Sequence, residues 1–121
     1  MRLMWGATRV RRGARRPGGA VRRGGGDAMV VAVLTAGFAL PQASTLKDKR
    51  SVVQSMLERV GRRFRASAAE VGWQDTPSRT LVALAVVSST GRHADRVLQA
   101  ALEFMEEDYP VELISAEVEH R

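Results

Sequence analysis

The sequence predicts an α+β domain of the ferredoxin-like βαββαβ type, a four-stranded antiparallel sheet with two helices on one face. Three observations predict it. Segments alternate in the order strand, helix, strand, strand, helix, strand; the first and third strands are apolar on both parities; and each helix carries a single apolar stripe. Strands that are apolar all round belong in mid-sheet, where this topology places the first and third.

The first strand, residues 29–40, reads MVVAVLTAGFAL, with Val31, Val33 and Ala39 on one parity and Val30, Leu34 and Phe38 on the other. Pro41 ends it, because proline cannot donate to a ladder. Ser44 and Thr45 are suited to cap a helix over Leu46–Phe64. Its inner stripe is Leu46, Val53, Met56, Leu57, Val60 and Phe64, and Lys47, Gln54, Glu58, Arg62 and Arg65 form a polar ridge opposite. Residues 65–73 read as a weak strand near an edge, with Ala66, Ala68 and Glu70 alternating with Ser67, Ala69 and Val71. A turn at residues 74–78, containing Asp75, Thr76 and Pro77, leads to the third strand, RTLVALAVVSS. Ser89 or Thr90 caps a second helix over residues 92–108, with Ala94, Val97, Leu98, Ala101, Leu102 and Met105 inward and Pro110 after its end. The last strand, VELISAEVE, alternates Ile114, Ala116 and Val118 with Ser115, Glu117 and Glu119, as an edge strand with one wet face does. Helices on one face leave the other face of the sheet uncovered. Val33 and Val86 are assigned to that face, an apolar patch expected to serve homodimerisation or another protein contact.

Charge divides the chain in two. Of its 121 residues, the first 28 hold eight arginines against Asp27, whereas the remainder has 11 Lys and Arg against 12 acids. The net charge of +6 is therefore carried by residues 1–28, and the domain over residues 29–121 is close to neutral. Seven of the 11 glycines lie in the same leader, which has no apolar face and is expected to be disordered. It lacks the apolar stretch of a secretory signal and the serines of a transit peptide. Two readings remain: a flexible arginine-glycine arm that grips phosphates, or upstream sequence preceding a true start at Met29, the reading adopted here. The absence of cysteine excludes disulfides, zinc-thiolate sites and iron-sulfur clusters and fits a reducing cytoplasm. The longest apolar run, residues 29–40, is shorter than the roughly 20 residues of a membrane helix.

The segment STLKDKRSVVQSMLERVGRRF, set between an apolar strand and the AAEV and LVALAVVSS strands, resembles the YlxP-like family of small bacterial proteins, the domain of unknown function 503. Ser44-Thr45-Leu46-Lys47, Lys49-Arg50-Ser51-Val52-Val53 and Arg63-Phe64 carry the resemblance, which spans residues 29–119; the leader has no counterpart in it. The resemblance implies a ferredoxin-like fold, a bacterial cytosolic setting and genes neighbouring those of translation initiation and ribosome maturation. It implies no established activity and no catalytic residues.

Lys47, Lys49 and Arg50 crowd the first turn of helix one with Asp48 alone against them, where the helix dipole disfavours cations by about 0.3–1 kcal/mol each. Two readings stand. The three cations converge with free N–H groups and the Ser44 and Thr45 hydroxyls on an anion or phosphate; or Lys49 lays its methylenes over apolar neighbours while Lys47 and Arg50 pair with acids elsewhere. Arg59, Arg62, Arg63 and Arg65 end the same helix, where the dipole favours cations. The two basic ends, roughly 25 Å apart, would suit a strip contacting successive RNA phosphates. Helix two ends in Glu103, Glu106, Glu107 and Asp108, which repel nucleic acid.

RNA reading of the RRM type needs aromatics on the two central strands, and Phe38 is the only one there. Trp73 falls in the loop, for packing or for base stacking. His93 and His120 lack metal-ligand spacing and read as solvated, and Glu70 and Asp75, flanking Trp73, have no partnering base. The basic loop that an acylphosphatase of this fold class places after its first strand is missing, since residues 37–43 hold no cation. The expectation is a non-enzymatic accessory factor, without cofactor or metal, that contacts ribosomal RNA or a ribosome-assembly partner through Lys47, Lys49, Arg50, Arg62 and Arg63. The alternative is a protein-interaction or homodimerisation module using the open sheet face.

Overall fold

The computed structural model describes residues 9–11, 20–23 and 27–121, with side chains described from Ala28 onward. The elements are β1 (Arg9–Arg11), β2 (Ala20–Arg23), β3 (Asp27–Ala39), α1 (Leu46–Phe64), β4 (Ser67–Gly72), β5 (Arg79–Ser88), α2 (Gly91–Asp108) and β6 (Glu112–His120). From β3 onward the order is the expected βαββαβ. The antiparallel neighbours run β6-β3-β5-β4, so the two doubly apolar strands, β3 and β5, are central. The fold is ferredoxin-like.

Parity decides which side of the sheet is covered. Ala32, Leu34, Ala36 and Phe38 of β3, Val82, Leu84 and Val86 of β5, and Ala116 and Val118 of β6 are buried. They form one core with Val53, Met56 and Val60 of α1 and Ala94, Leu98, Ala101, Leu102 and Met105 of α2. Each fully buried Leu or Phe contributes about 1.5–3 kcal/mol. On the opposite parity, Val31, Val33, Thr35, Ala83 and Ala85 remain half-buried and Val87 is 68% exposed. Val33 thus lies on the open face as expected, but Val86 does not. It pairs with Ala32 in the β3–β5 register and belongs to the core, while its neighbour Val87, paired with Val31, points the other way. On a strand apolar on both parities, composition cannot tell the two faces apart.

A register shift between Gly37 and Phe38 sets Ser115 opposite the first and Leu113 opposite the second. Ile114 is the extra residue of a β-bulge and is 45% exposed, so the expected alternation of Ile114 with Ala116 and Val118 breaks at this point. The expected strand start at Met29 lies inside β3, which begins at Asp27. Within the arginine-glycine leader, β1 pairs parallel with β6, placing Arg9 in register with Glu117 and Arg11 with Glu119, and β2 pairs antiparallel with Asp27–Val30. The rest of the segment expected to be disordered lies outside the described residues.

Candidate functional site

The first turn of α1 already contains its anion. Thr45 caps the helix by accepting the Asp48 N–H at 3.1 Å, and Asp48 Oδ2 accepts from Ser44 N at 3.2 Å, Ser44 Oγ at 3.3 Å and Thr45 N at 3.3 Å. This is a capping box with aspartate as the returning acid. The Ser44 N–H foremost, then the Thr45 hydroxyl, hold the Asp48 carboxyl below its ordinary value; the Ser44 hydroxyl and Thr45 N–H add to this, while desolvation opposes it. A cleft of about 270 Å³ beside this turn has Gln42, Asp48 and Ser51 as its polar side chains and no cation among its lining residues. The predicted convergence of Lys47, Lys49 and Arg50 on an anion at this turn is therefore not formed.

Lys49 is the decisive departure. It sits at 0% exposure on the inner stripe of α1, and its Nζ donates to the carbonyls of Trp73 at 2.6 Å, Gln74 at 3.0 Å and Arg79 at 3.2 Å. It also pairs with Glu70 Oε2 at 3.0 Å, and Glu70 Oε2 accepts the Thr80 hydroxyl at 2.6 Å. A buried ammonium needs a counter-charge and acceptors for its three protons, and the β4–β5 hairpin supplies both. Lys49 is thus withdrawn from any surface site.

The other predicted cations are outside. Lys47, Arg50, Arg62 and Arg63 are all exposed. Arg62 approaches Glu58 at 3.9 Å, both side chains 77% exposed. Arg59 and Arg63 flank the helix over an aromatic cluster in which Phe64 and Tyr109 each meet Phe104 edge-on. The Arg63 guanidinium lies 4.9 Å from the Phe104 centroid, and Arg59 lies 5.3 Å from Phe104 and 5.6 Å from Tyr109. Arg59 also donates to the Tyr109 hydroxyl at 3.1 Å and approaches Asp108 at 3.8 Å. The acidic end of α2 therefore sits against the side of the basic helix and tempers it there.

Two further features stand on the sheet. Trp73, 39% exposed, has its ring edge against Gly37 on the open face, where a Cβ added to the glycine would fall 3.2 Å from Trp73 Cζ3; the Arg79 guanidinium lies 5.5 Å from the indole. His120, expected to be solvated, is 9% exposed and bonds Asp95 at 2.6 Å beside Gly91, tying the end of β6 to the start of α2. Among the described residues no group of three or more His, Asp or Glu is placed to hold a metal, and no helix is long and apolar enough to cross a membrane.

A profile of the family described as "Protein of unknown function (DUF503)" matches residues 31–118, from β3 through β6. The chain belongs to the DUF503 family. It is 41% identical over 64 residues to a Bacillus subtilis protein named "Uncharacterized protein YlxP", an alignment covering 53% of this chain and 70% of that protein. In this DUF503 domain the motif read from residues 44–64 divides by role: Thr45 and Asp48 cap, Lys49 pins the hairpin, and Lys47, Arg50 and the terminal arginines face solvent.

Sequence reasoning missed the Lys49–Glu70 pair and the Trp73–Arg79 stack. A signal for the first is present: Lys49 shares a face with Val53, Met56 and Val60, and Glu70 takes the inward parity of Ala68. No spacing rule marks the second, because it depends on how the loop folds back over Gly37.

Proposed function

We propose that this DUF503 domain is a non-enzymatic, cytoplasmic accessory factor that contacts RNA phosphates, those of ribosomal RNA or of a ribosome-assembly intermediate, through the outer face of α1. One observation carries the reading. Lys47, Arg50, Arg59, Arg62, Arg63 and Arg65 of α1 and its cap are exposed along roughly 25 Å of helix, with Asp48 and Glu58 as the acids on the same segment. Exposed pairs as long as Arg62–Glu58 contribute about 0–1 kcal/mol and yield readily to a phosphate. Asp48 is engaged as a helix cap. Arg63, resting on the Phe104 ring, presents its guanidinium edge with less conformational freedom to lose, whereas Arg59 is engaged by Tyr109 and Asp108.

The contacting set is Lys47, Arg50, Arg62 and Arg63. Replacing these four by alanine should abolish salt-sensitive co-sedimentation with small ribosomal subunits, each lost phosphate contact removing about 0.7 from the slope of log affinity against log salt for single-stranded RNA. Co-sedimentation equal to wild type at every salt concentration removes this reading.

A second reading is supported by the placement of exposed apolar side chains. Val71 at 51%, Trp73 at 39%, Val87 at 68% and Ile114 at 45% all belong to the sheet or its hairpin loop, bordering a face floored by Val31, Val33, Ala83 and Ala85 that the described residues leave uncovered. A second copy of the chain packed on this face would bury them.

A further inference from the structure

We infer that Trp73 and Arg79 form a stacking platform for one unpaired base of single-stranded RNA, an assignment of ligand class that rests on the phosphate-contact reading of α1. Trp73 is held in a left-handed backbone conformation, φ 54°, that a bulky residue adopts only under constraint, and it does so immediately after Gly72, which carries no such penalty. The constraint is visible: the Trp73 carbonyl accepts from the buried Lys49 ammonium at 2.6 Å, the Thr76 N–H closes the turn onto the same carbonyl at 3.1 Å, and Lys49 also holds the Arg79 carbonyl at 3.2 Å. The two residues of the platform are thus fixed by one ammonium. The bonds to the Trp73 carbonyl fix the point from which the indole leaves the turn.

The indole edge occupies room that Gly37 leaves on the open face, the Arg79 guanidinium lies over the ring at 5.5 Å from its centroid, and Trp73 as a whole is 39% exposed. With the guanidinium over the indole, a base stacks on the part of the pair left exposed, and Arg79 is the donor for the adjoining phosphate. The hydroxyl of Ser115, exposed next to Gly37, adds a hydrogen-bonding group at the border of the platform.

Charge and position favour RNA over an apolar partner. Lys49 reaches from the inner side of α1 to the loop that carries the platform, so that loop lies at the same end of the molecule as the first turn of α1. A strand whose phosphates lie along Lys47 and Arg50 has to pass round this end, from the helix layer to the open face of the sheet, to reach the platform. Of the acids nearby, Asp48 is engaged as a cap and Glu70 by Lys49 and Thr80; Asp75, exposed in the turn, and Glu112, exposed on β6 with Ala39 between it and Arg79 in the sheet register, are opposing charges.

The test uses the full chain, fluorescence anisotropy, and two probes: an unstructured oligouridylate and an abasic phosphodiester chain of equal length. Wild type should prefer the base-bearing probe. Trp73→Ala should weaken oligouridylate binding by roughly 5- to 150-fold with an unchanged salt slope and leave abasic binding as it was, and Trp73→Phe should restore most of the loss. Arg79→Ala, at an exposed side chain, should weaken the same preference and serves if Trp73→Ala misfolds. Equal binding of the two probes by wild type, or full oligouridylate affinity in both Trp73→Ala and Arg79→Ala, overturns the platform. If that happens while Lys47→Ala/Arg50→Ala/Arg62→Ala still loses affinity and salt slope, the phosphate reading survives alone. Failure of wild type to bind either probe, or quenching of the platform only by a protein partner, overturns the platform as well.

Discussion

At the residue scale, Lys49 links helix, hairpin and candidate platform through one nitrogen. Its ammonium has three carbonyl acceptors and a carboxylate, and Glu70 is itself bonded by Thr80, so the pair is satisfied only as a unit. Removing one partner of such a buried pair leaves a charge and several acceptors uncompensated, at a cost of about 3–5 kcal/mol. Lys49→Met, which keeps the volume, should therefore lower the urea-unfolding free energy by about that amount, whereas Lys47→Met, at an exposed side chain, should change it by less than about 0.5 kcal/mol. Equal effects of the two substitutions would contradict the burial of Lys49. The position also explains why a cation-rich first turn looked like a binding site: the three charges are adjacent in sequence, yet helical geometry turns one of them inward.

At the element scale, α1 is set by its ends. The Thr45–Asp48 capping box supplies the acid that the dipole calls for at the N-terminus, and Arg65 closes the C-terminus in the left-handed conformation, φ 53°. Because hydrogen bonds to the ionised form lower the folded-state value of Asp48, its contribution to stability is present above the ordinary carboxylate range and is lost as pH falls through the depressed value. Asp48→Asn should remove this increment, so the stability difference between wild type and variant, followed by thermal unfolding, narrows on acidification; a difference independent of pH would show the carboxylate to be idle. Element order and type were legible because both helices kept a period of 3.6, β4 alternated, and β3 and β5 read as short runs apolar on both parities. Legibility failed where a local irregularity reset the parity, at the Ile114 bulge, and where both parities were apolar, at Val86. It failed again where a polar side chain found its partner across the fold, as Lys49 did with Glu70 and His120 with Asp95.

At the scale of the whole molecule, two surfaces of different character lie on opposite sides: a helix layer whose α1 ridge is cationic, and a sheet face that the described residues leave uncovered, with an apolar floor bordered by Glu117 and Glu119. They make separable predictions. Val86→Asp buries a charge in the core and should unfold the domain, whereas Val87→Asp, one residue along, should leave it folded. If two copies associate through the sheet, Val87→Asp and Val33→Asp should also shift sedimentation equilibrium toward monomer, and wild type should show concentration-dependent association; a monomeric wild type at high concentration removes that reading. The alanine-scale ridge variant of α1 should leave this equilibrium untouched, since its side chains lie on the other layer.

The floor of the open sheet face is built from Val31, Val33, Thr35, Gly37, Ala83 and Ala85, side chains that are either short or branched at the β-carbon. Such groups have few rotamers to begin with. A partner settled on that floor freezes almost no torsional motion in the floor itself, and on this domain the loss of rotamer freedom is confined to the exposed side chains of its rim.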